Sequence, residues 1–272
     1  AGWEYSVKSV SSAVVMAGGI IGSNNGKALT VSGCTNKGEI YMEGGIFGGR
    51  NTVGSISTSA ATSSAAPTAA GVVGYGYNSS GSPFSMDNCH NYGKVTFNWF
   101  ETDGSGTSGR TQVAGVIGAP WGDVTNCNNY GDVTFIAKYK TAIVNHLSYL
   151  GGIAGSDYYS KSQSESSIIN CVNEGNITID CDCGTSNNAA GGIVGWPGKE
   201  SACTNVTKNC VNKGNLTFSG NGKIRLGGIQ GGSGAIEDCV NEGHITVNTS
   251  NVNSVYGGLA GFHSGGYALR NS

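Results

Sequence analysis

The sequence is short of charge, of proline and of long apolar runs. Charged residues make up 12% of its 272 positions, about half the usual quarter. Fifteen basic against 17 acidic residues leave a formal net charge of −2. No clustered basic face can be drawn from so few cations, so nucleic acid is not expected as a partner. No stretch approaches the roughly 18 consecutive apolar residues of a membrane-spanning helix, and membrane insertion is not expected either. Four prolines are too few for a stiff Pro-rich linker. What the chain has in excess is 47 Gly and 27 Asn, together 27% of its length. Gly costs about 1 kcal/mol at a helical site, which disfavours long helices, and it follows no collagen triplet. The composition reads as all-β, with glycine used periodically. The opening Ala1-Gly2-Trp3 carries no leader pattern, which reads as a mature chain or a fragment.

Two motifs alternate along the chain. The first, Gly/Ala-Gly-aliphatic-x-Gly, begins at Gly18, Gly44, Ala70, Ala114, Gly151, Gly191, Gly227 and Gly257. The second, Cys-x-Asn-x-Gly-x-aliphatic, begins at Cys34, Cys89, Cys127, Cys171, Cys210 and Cys239. The copy at Gly44 lacks a clear Cys partner, and the copy at Gly257 is followed by Ser272 in place of Cys. With Cys as zero, the apolar residues at +6 (Ile40, Val95, Val133, Ile177, Leu216, Ile245) and +8 (Met42, Phe97, Phe135, Ile179, Phe218, Val247) share one face of a strand. Position −3 is again mostly apolar and −1 is usually Asn or Asp. The break in parity between −3 and zero implies a corner just before Cys.

Each repeat thus supplies short strands and corners, and buries its inner face only by stacking on its neighbours. The expected fold is a single all-β domain over 1–272, a parallel β-solenoid of about eight coils with variable loops. Residues 1–17 would form an N-terminal strand or cap, and the repeats would fill 18–272, with Leu269, Asn271 and Ser272 opening an incomplete last one. Stacking about 4.8 Å apart would align equivalent residues. Asn36, Asn91, Asn129, Asn173, Asn212 and Asn241 would then form an internal amide ladder. Cys34, Cys89, Cys127, Cys171, Cys210 and Cys239 would form a buried thiol ladder, acting as small hydrophobes rather than as disulfides. Cys181, Cys183 and Cys203 lie outside it and are candidates for one disulfide. Cys181-Asp182-Cys183 lacks the second Cys/His pair of a zinc site.

Copies such as Gly151-Gly152-Ile153-Ala154-Gly155 with Cys171-Val172-Asn173-Glu174-Gly175, and Gly191-Gly192-Ile193-Val194-Gly195 with Cys210-Val211-Asn212-Lys213-Gly214, resemble the GLUG-type repeats of bacterial surface proteins. The resemblance covers the chain from about Gly18 onward. It implies a β-solenoid from a secreted or surface-anchored, adhesin-like protein, and it brings no catalytic residues with it.

No nucleophile elbow, Walker loop or zincin motif is present. His90, His146, His244 and His263 are scattered. Asp123, Asp132, Asp157, Asp180 and Asp182 are the best concentration of carboxylates, but their spacing forces no convergence. They read as a solvated edge or a Ca²⁺ contact rather than an active site. Tyr75, Tyr77, Trp121, Tyr158, Tyr159, Trp196 and Phe262 all follow the first motif closely and would line one edge, as a glycan-contacting strip or as packing under loops. Tyr41, Thr96, Thr134, Thr178, Thr217 and Thr246 form an outward rank, read as a cross-rung hydroxyl ladder. The residue after the first motif's aliphatic is usually apolar (Ile21, Phe47, Val73, Ile117, Ala154, Val194, Ala260, with Gln230 the exception). If it points outward, a loop or a lateral partner must cover it.

The expected function is a non-enzymatic, extracellular or cell-surface segment, adhesin-like or a stalk. Its partners would be other copies of itself, the rest of a longer surface protein, or glycans of a host surface, and no cofactor is expected. The alternatives are a fibre subunit stacking head-to-tail and a carbohydrate-active β-helix enzyme.

Overall fold

The computed structural model describes residues 5–8, 16–24, 28–47, 50–51, 68–76, 84–101, 109–138, 146–156, 166–182, 188–197, 206–263 and 268–272. These contain strands and no helix. The chain winds through five sheets in a fixed order, once per coil, and every pairing between coils is parallel. Sheet A comprises Tyr5–Lys8, Ile40–Phe47, Val95–Glu101, Val133–Lys138, Ile177–Cys181, Leu216–Ser219 and Ile245–Asn248. Sheet B comprises Met16–Gly18, Thr68–Ala70, Gly109–Ala114, His146–Gly151, Asn188–Gly191, Ile224–Gly227 and Val255–Gly257. Sheet C holds Ile21–Ser23, Val73–Gly76, Ile117–Pro120, Ala154–Ser156 and Val194–Trp196, and bridges at Gln230 and Ala260 continue it. Sheet D holds Leu29–Ser32, Phe84–Asp87, Asp123–Thr125, Ile168–Ile169, Val206–Lys208, Ala235–Glu237 and Leu269–Arg270. Sheet E is made of the two-residue strands that carry the ladder asparagines, from Thr35–Asn36 to Val240–Asn241. The fold is a parallel β-solenoid.

Among the described residues the longer parallel ladders hold seven strands. The first-motif copy at Gly44 accounts for the difference from the expected eight. It makes no corner: Gly44, Gly45 and Ile46 continue sheet A in register with Trp99, Phe100 and Glu101. Arg50–Asn51 then turns back antiparallel on Ile46–Phe47. With its backbone already paired along a straight strand, this copy has no bend to form.

Two cores run the length of the rod. In the first, the alternate residues of sheet A, from Ile40 and Met42 through Phe97, Trp99, Phe135 and Ile179 to Phe218, face Ala69, Val113, Leu150, Ala190 and Leu226 of sheet B. In the second, Val72, Val73, Val116, Ile117, Ile153 and Ile193 face Met86, Val124, Ile168 and Ile236 and the buried cysteines. Val73, Ile117, Ala154 and Val194 therefore point inward, and no outside cover is needed. At the bend, two successive N–H groups, of Val72 and Val73, donate to the one carbonyl of Val116 (3.0 Å each). That shift breaks the alternation and sends both side chains into the core. Gln230, the polar exception, is also inward, and its Nε2 donates to Thr207 Oγ1 (2.7 Å), the one polar residue at −3.

The two motifs meet where the two cores divide. A Cβ added to the motif's second glycine would lie 2.2 Å from Asn91 Cγ at Gly71, 2.1 Å from Asn129 Cγ at Gly115 and 2.2 Å from Asn173 Cγ at Gly152. The glycine therefore makes room for the asparagine of its own coil. From Asn36 to Asn212 each Asn Nδ2 donates twice, as Asn129 does to Gly131 O (2.8 Å) and Asn173 Oδ1 (2.8 Å). The series runs unbroken from Asn36 through Asn91, Asn129, Asn173 and Asn212 to Asn241.

Position −1 is the corner. Asn88, Asn126, Asn170, Asn209, Asp238 and Asn271 all have φ between 50° and 56°, and Gly33 has φ 65°. This is the left-handed region that Asn, Asp and Gly enter most readily.

Candidate functional site

The six ladder cysteines are free. All but the half-buried Cys34 are buried, as is the Asn ladder except for the half-buried Asn241. Each Sγ donates to the carbonyl two residues earlier, closing the corner: Cys34 to Ser32 (3.5 Å), Cys89 to Asp87 (3.3 Å), Cys127 to Thr125 (3.1 Å), Cys171 to Ile169 (3.3 Å), Cys210 to Lys208 (3.2 Å) and Cys239 to Glu237 (3.2 Å). Ser272 Oγ does the same to Arg270 O (2.9 Å), and it accepts the Cys239 N–H (3.1 Å). The position thus takes a small side chain that can donate, and Ser272 stands in register with the thiols. Burial, followed by the adjacent Cys127 and Cys210 thiols, pushes the Cys171 pKa well above the ordinary thiol value. Cys171 is therefore held as the protonated thiol, which is a poor nucleophile. Cys181 is disulfide-bonded. Cys183 and Cys203 lie outside the described residues.

The aromatic candidates separate into two groups. The register of sheet C aligns Ser23, Tyr75 and Ala119, and likewise Ser156 and Trp196. The bridges through Gln230 and Ala260 bring Gly232 and Phe262 into the same rank. Small residues therefore interrupt the strip. Tyr75 is buried against Trp121, their ring centroids 6.4 Å apart, and Trp121 sits two residues further along the strand path. At the other end, Tyr149 (5.7 Å between centroids), Trp196, Arg225 and Phe262 form a column across the coils. The Arg225 guanidinium lies 5.2 Å from the Trp196 ring centre and 3.8 Å from that of Phe262. Gly232 leaves space for the Trp196 ring, whose Cε3 would be 2.5 Å from an added Cβ. Neither ring pair is face to face: Tyr75 and Trp121 are tilted by 60° and Tyr149 and Trp196 by 31°. Tyr77, Tyr158 and Tyr159 lie outside the described residues. No spacing in the sequence marks Arg225, because cation–π pairing across coils depends on register rather than on a local motif.

The carboxylates do not converge. Asp123 accepts the Ser167 N–H (3.0 Å), and Asp132 accepts the N–H and Nδ2 of Asn176 (2.9 and 3.2 Å). Asp180 accepts the Ser219 hydroxyl (3.1 Å) and pairs with Lys138, which also reaches Asp182 (3.6 Å). Each is engaged in bonding between coils, and among the described residues no metal-binding group of three or more ligand residues occurs. Asp157 lies outside the described residues.

A second aromatic pair sits on the outside of sheet E. Tyr92 and Tyr130 stack with ring centroids 4.5 Å apart and planes 13° from parallel. Their shared place, third after Cys89 and Cys127, was legible in the motif.

At the last coil the inward ranks are uncovered. Ile245 and Val247 are only half-buried, Leu269 is 48% exposed and Tyr256 63%. Comparison with family models, with curated proteins and with solved structures finds no match to this chain.

Proposed function

We propose that the chain is a non-enzymatic, extracellular rod, a stalk or adhesin-like segment of a surface protein, as the GLUG-type resemblance implies. The observation that supports this best is the unbroken Asn ladder, which ties every coil to the next from Asn36 to Asn241. A chain whose polar interior is spent on holding itself straight is suited to spacing and presenting rather than to turnover. The Cys181 disulfide fits an oxidising compartment. In the adhesin reading, host glycans would meet the half-buried Trp121, Trp196 and Phe262, of which Trp196 and Phe262 already stack on Arg225. A glycan array tests this: binding that Trp196→Ala abolishes supports it, and no wild-type binding to any glycan removes it. Release of reducing sugars from any polysaccharide would contradict the non-enzymatic reading.

A second reading is favoured by the uncovered last coil. Asn241 Nδ2 donates to Gly243 O (3.1 Å), and the direction of the ladder leaves its other N–H aimed at a following coil. Further coils of the same chain would cover that end and receive this bond in the stalk reading, and a second copy stacked head-to-tail would do so in the fibre reading. Negative-stain microscopy over rising concentration separates the two readings. Single short rods support the stalk, and filaments that lengthen with concentration support the fibre.

A further inference from the structure

We propose that Tyr92 and Tyr130 form an oxidative cross-linking site, where a haem peroxidase with hydrogen peroxide joins the two phenols into a dityrosine staple between adjacent coils. Each directly follows a two-residue strand, and these strands are parallel and in register, His90 opposite Asn128 and Asn91 opposite Asn129. Both side chains therefore leave the sheet in the same direction. Their backbones are anchored, since Tyr92 N–H donates to Asn36 O (2.8 Å) and Tyr130 N–H to Asn91 O (2.7 Å). Asn128 Nδ2 donates to the Tyr130 hydroxyl (3.1 Å), which holds that ring in place. Tyr92 is 49% exposed and Tyr130 half-buried, so the pair lies open at the surface. The equivalent positions in the coils on either side are Lys37 and Glu174, so oxidation at this rank has one partner to choose.

Each phenol loses one electron and its hydroxyl proton, giving two phenoxyl radicals with spin density on the ring carbons ortho to oxygen. A carbon–carbon bond forms between one ortho carbon of each ring. The two ring hydrogens at the new bond then move to the oxygens, restoring both phenols. The two electrons and two protons reduce one hydrogen peroxide to two waters. With ring centroids 4.5 Å apart, the ortho carbons need only side-chain rotation to meet, and the encounter is intramolecular. The product fastens one coil covalently to the next.

The test uses the full chain, folded and dilute, treated with haem peroxidase and hydrogen peroxide. The expected product is a monomer lighter by two hydrogens, with the blue fluorescence of dityrosine and a linked peptide whose fragmentation joins Tyr92 to Tyr130. Tyr92→Phe and Tyr130→Phe each keep a ring in the stack and are expected to abolish that peptide. Tyr256→Phe, at the 63% exposed tyrosine of the last coil, is expected to leave its yield unchanged. The proposal is overturned if the wild type gives no dityrosine, if the bond joins other tyrosines or separate molecules, or if Tyr92→Phe leaves the dityrosine yield unaltered.

Discussion

At the scale of the residue, glycine and asparagine fit one another. A Cβ at Gly115 would meet Asn129 Cγ at 2.1 Å and the Gly152 carbonyl oxygen at 2.3 Å, whereas Gly258, at the same motif position in the last coil, has nothing within 4 Å. Gly115→Ala is therefore expected to cost about 3 kcal/mol or more, because backbone must move. Gly258→Ala should stay within about 0.5 kcal/mol of wild type, as at an ordinary surface site. Urea unfolding of the two variants checks the contrast. The thiols give a second expectation. Cys171 holds its proton above the ordinary thiol pKa because it is buried beside two other thiols. The unfolded chain releases that proton near pH 8.5, so the contribution is fully present below that pH and is lost as pH rises beyond it. The fall in urea midpoint between pH 8 and 10 should be shallower in Cys171→Ala than in wild type.

At the scale of the element, the corners decide the path. Every −1 residue among the described coils is left-handed, and only Gly33 in that rank is not Asn or Asp. No atom lies within 4 Å of a Cβ there. Gly33→Asn should match or raise stability by up to about 1 kcal/mol, by narrowing the unfolded ensemble. Gly33→Val should lower it by about 1–2 kcal/mol through the left-handed penalty on a side chain. Thermal melts of both variants measure this. The strands, the corner before Cys and the Asn ladder were all legible, because each repeats a residue type at fixed spacing. The inward turn of Val73 and Ile117 was not, since it follows from two N–H groups sharing one carbonyl, which leaves no mark on residue type. The aromatic strip misread in the same way. Proximity to the motif places Trp121 and Trp196 alike, while the strand register puts Trp196 with Phe262 and leaves Trp121 apart.

At the scale of the whole molecule, the copy at Gly44 shows what a motif can hide. Its letters match the others, but without a following Cys corner the chain runs straight, and the segment between Ile40 and Val95 makes one long coil. Counting first motifs therefore overstates the rod by one. The direct test is the spacing of coils along sheet A, where Ser6, Tyr41, Thr96, Thr134, Thr178, Thr217 and Thr246 lie in one rank. Spin labels placed through non-natural residues at Ser6 and Thr246, and in a second sample at Thr96 and Thr246, can be measured by pulsed dipolar spectroscopy. The two pairs span six and four steps of about 4.8 Å, so the expected separations are about 29 and 19 Å and differ by about 10 Å whatever the label adds. Equal separations for the two pairs, or distributions too broad to rank them, would contradict the stacked, registered rod.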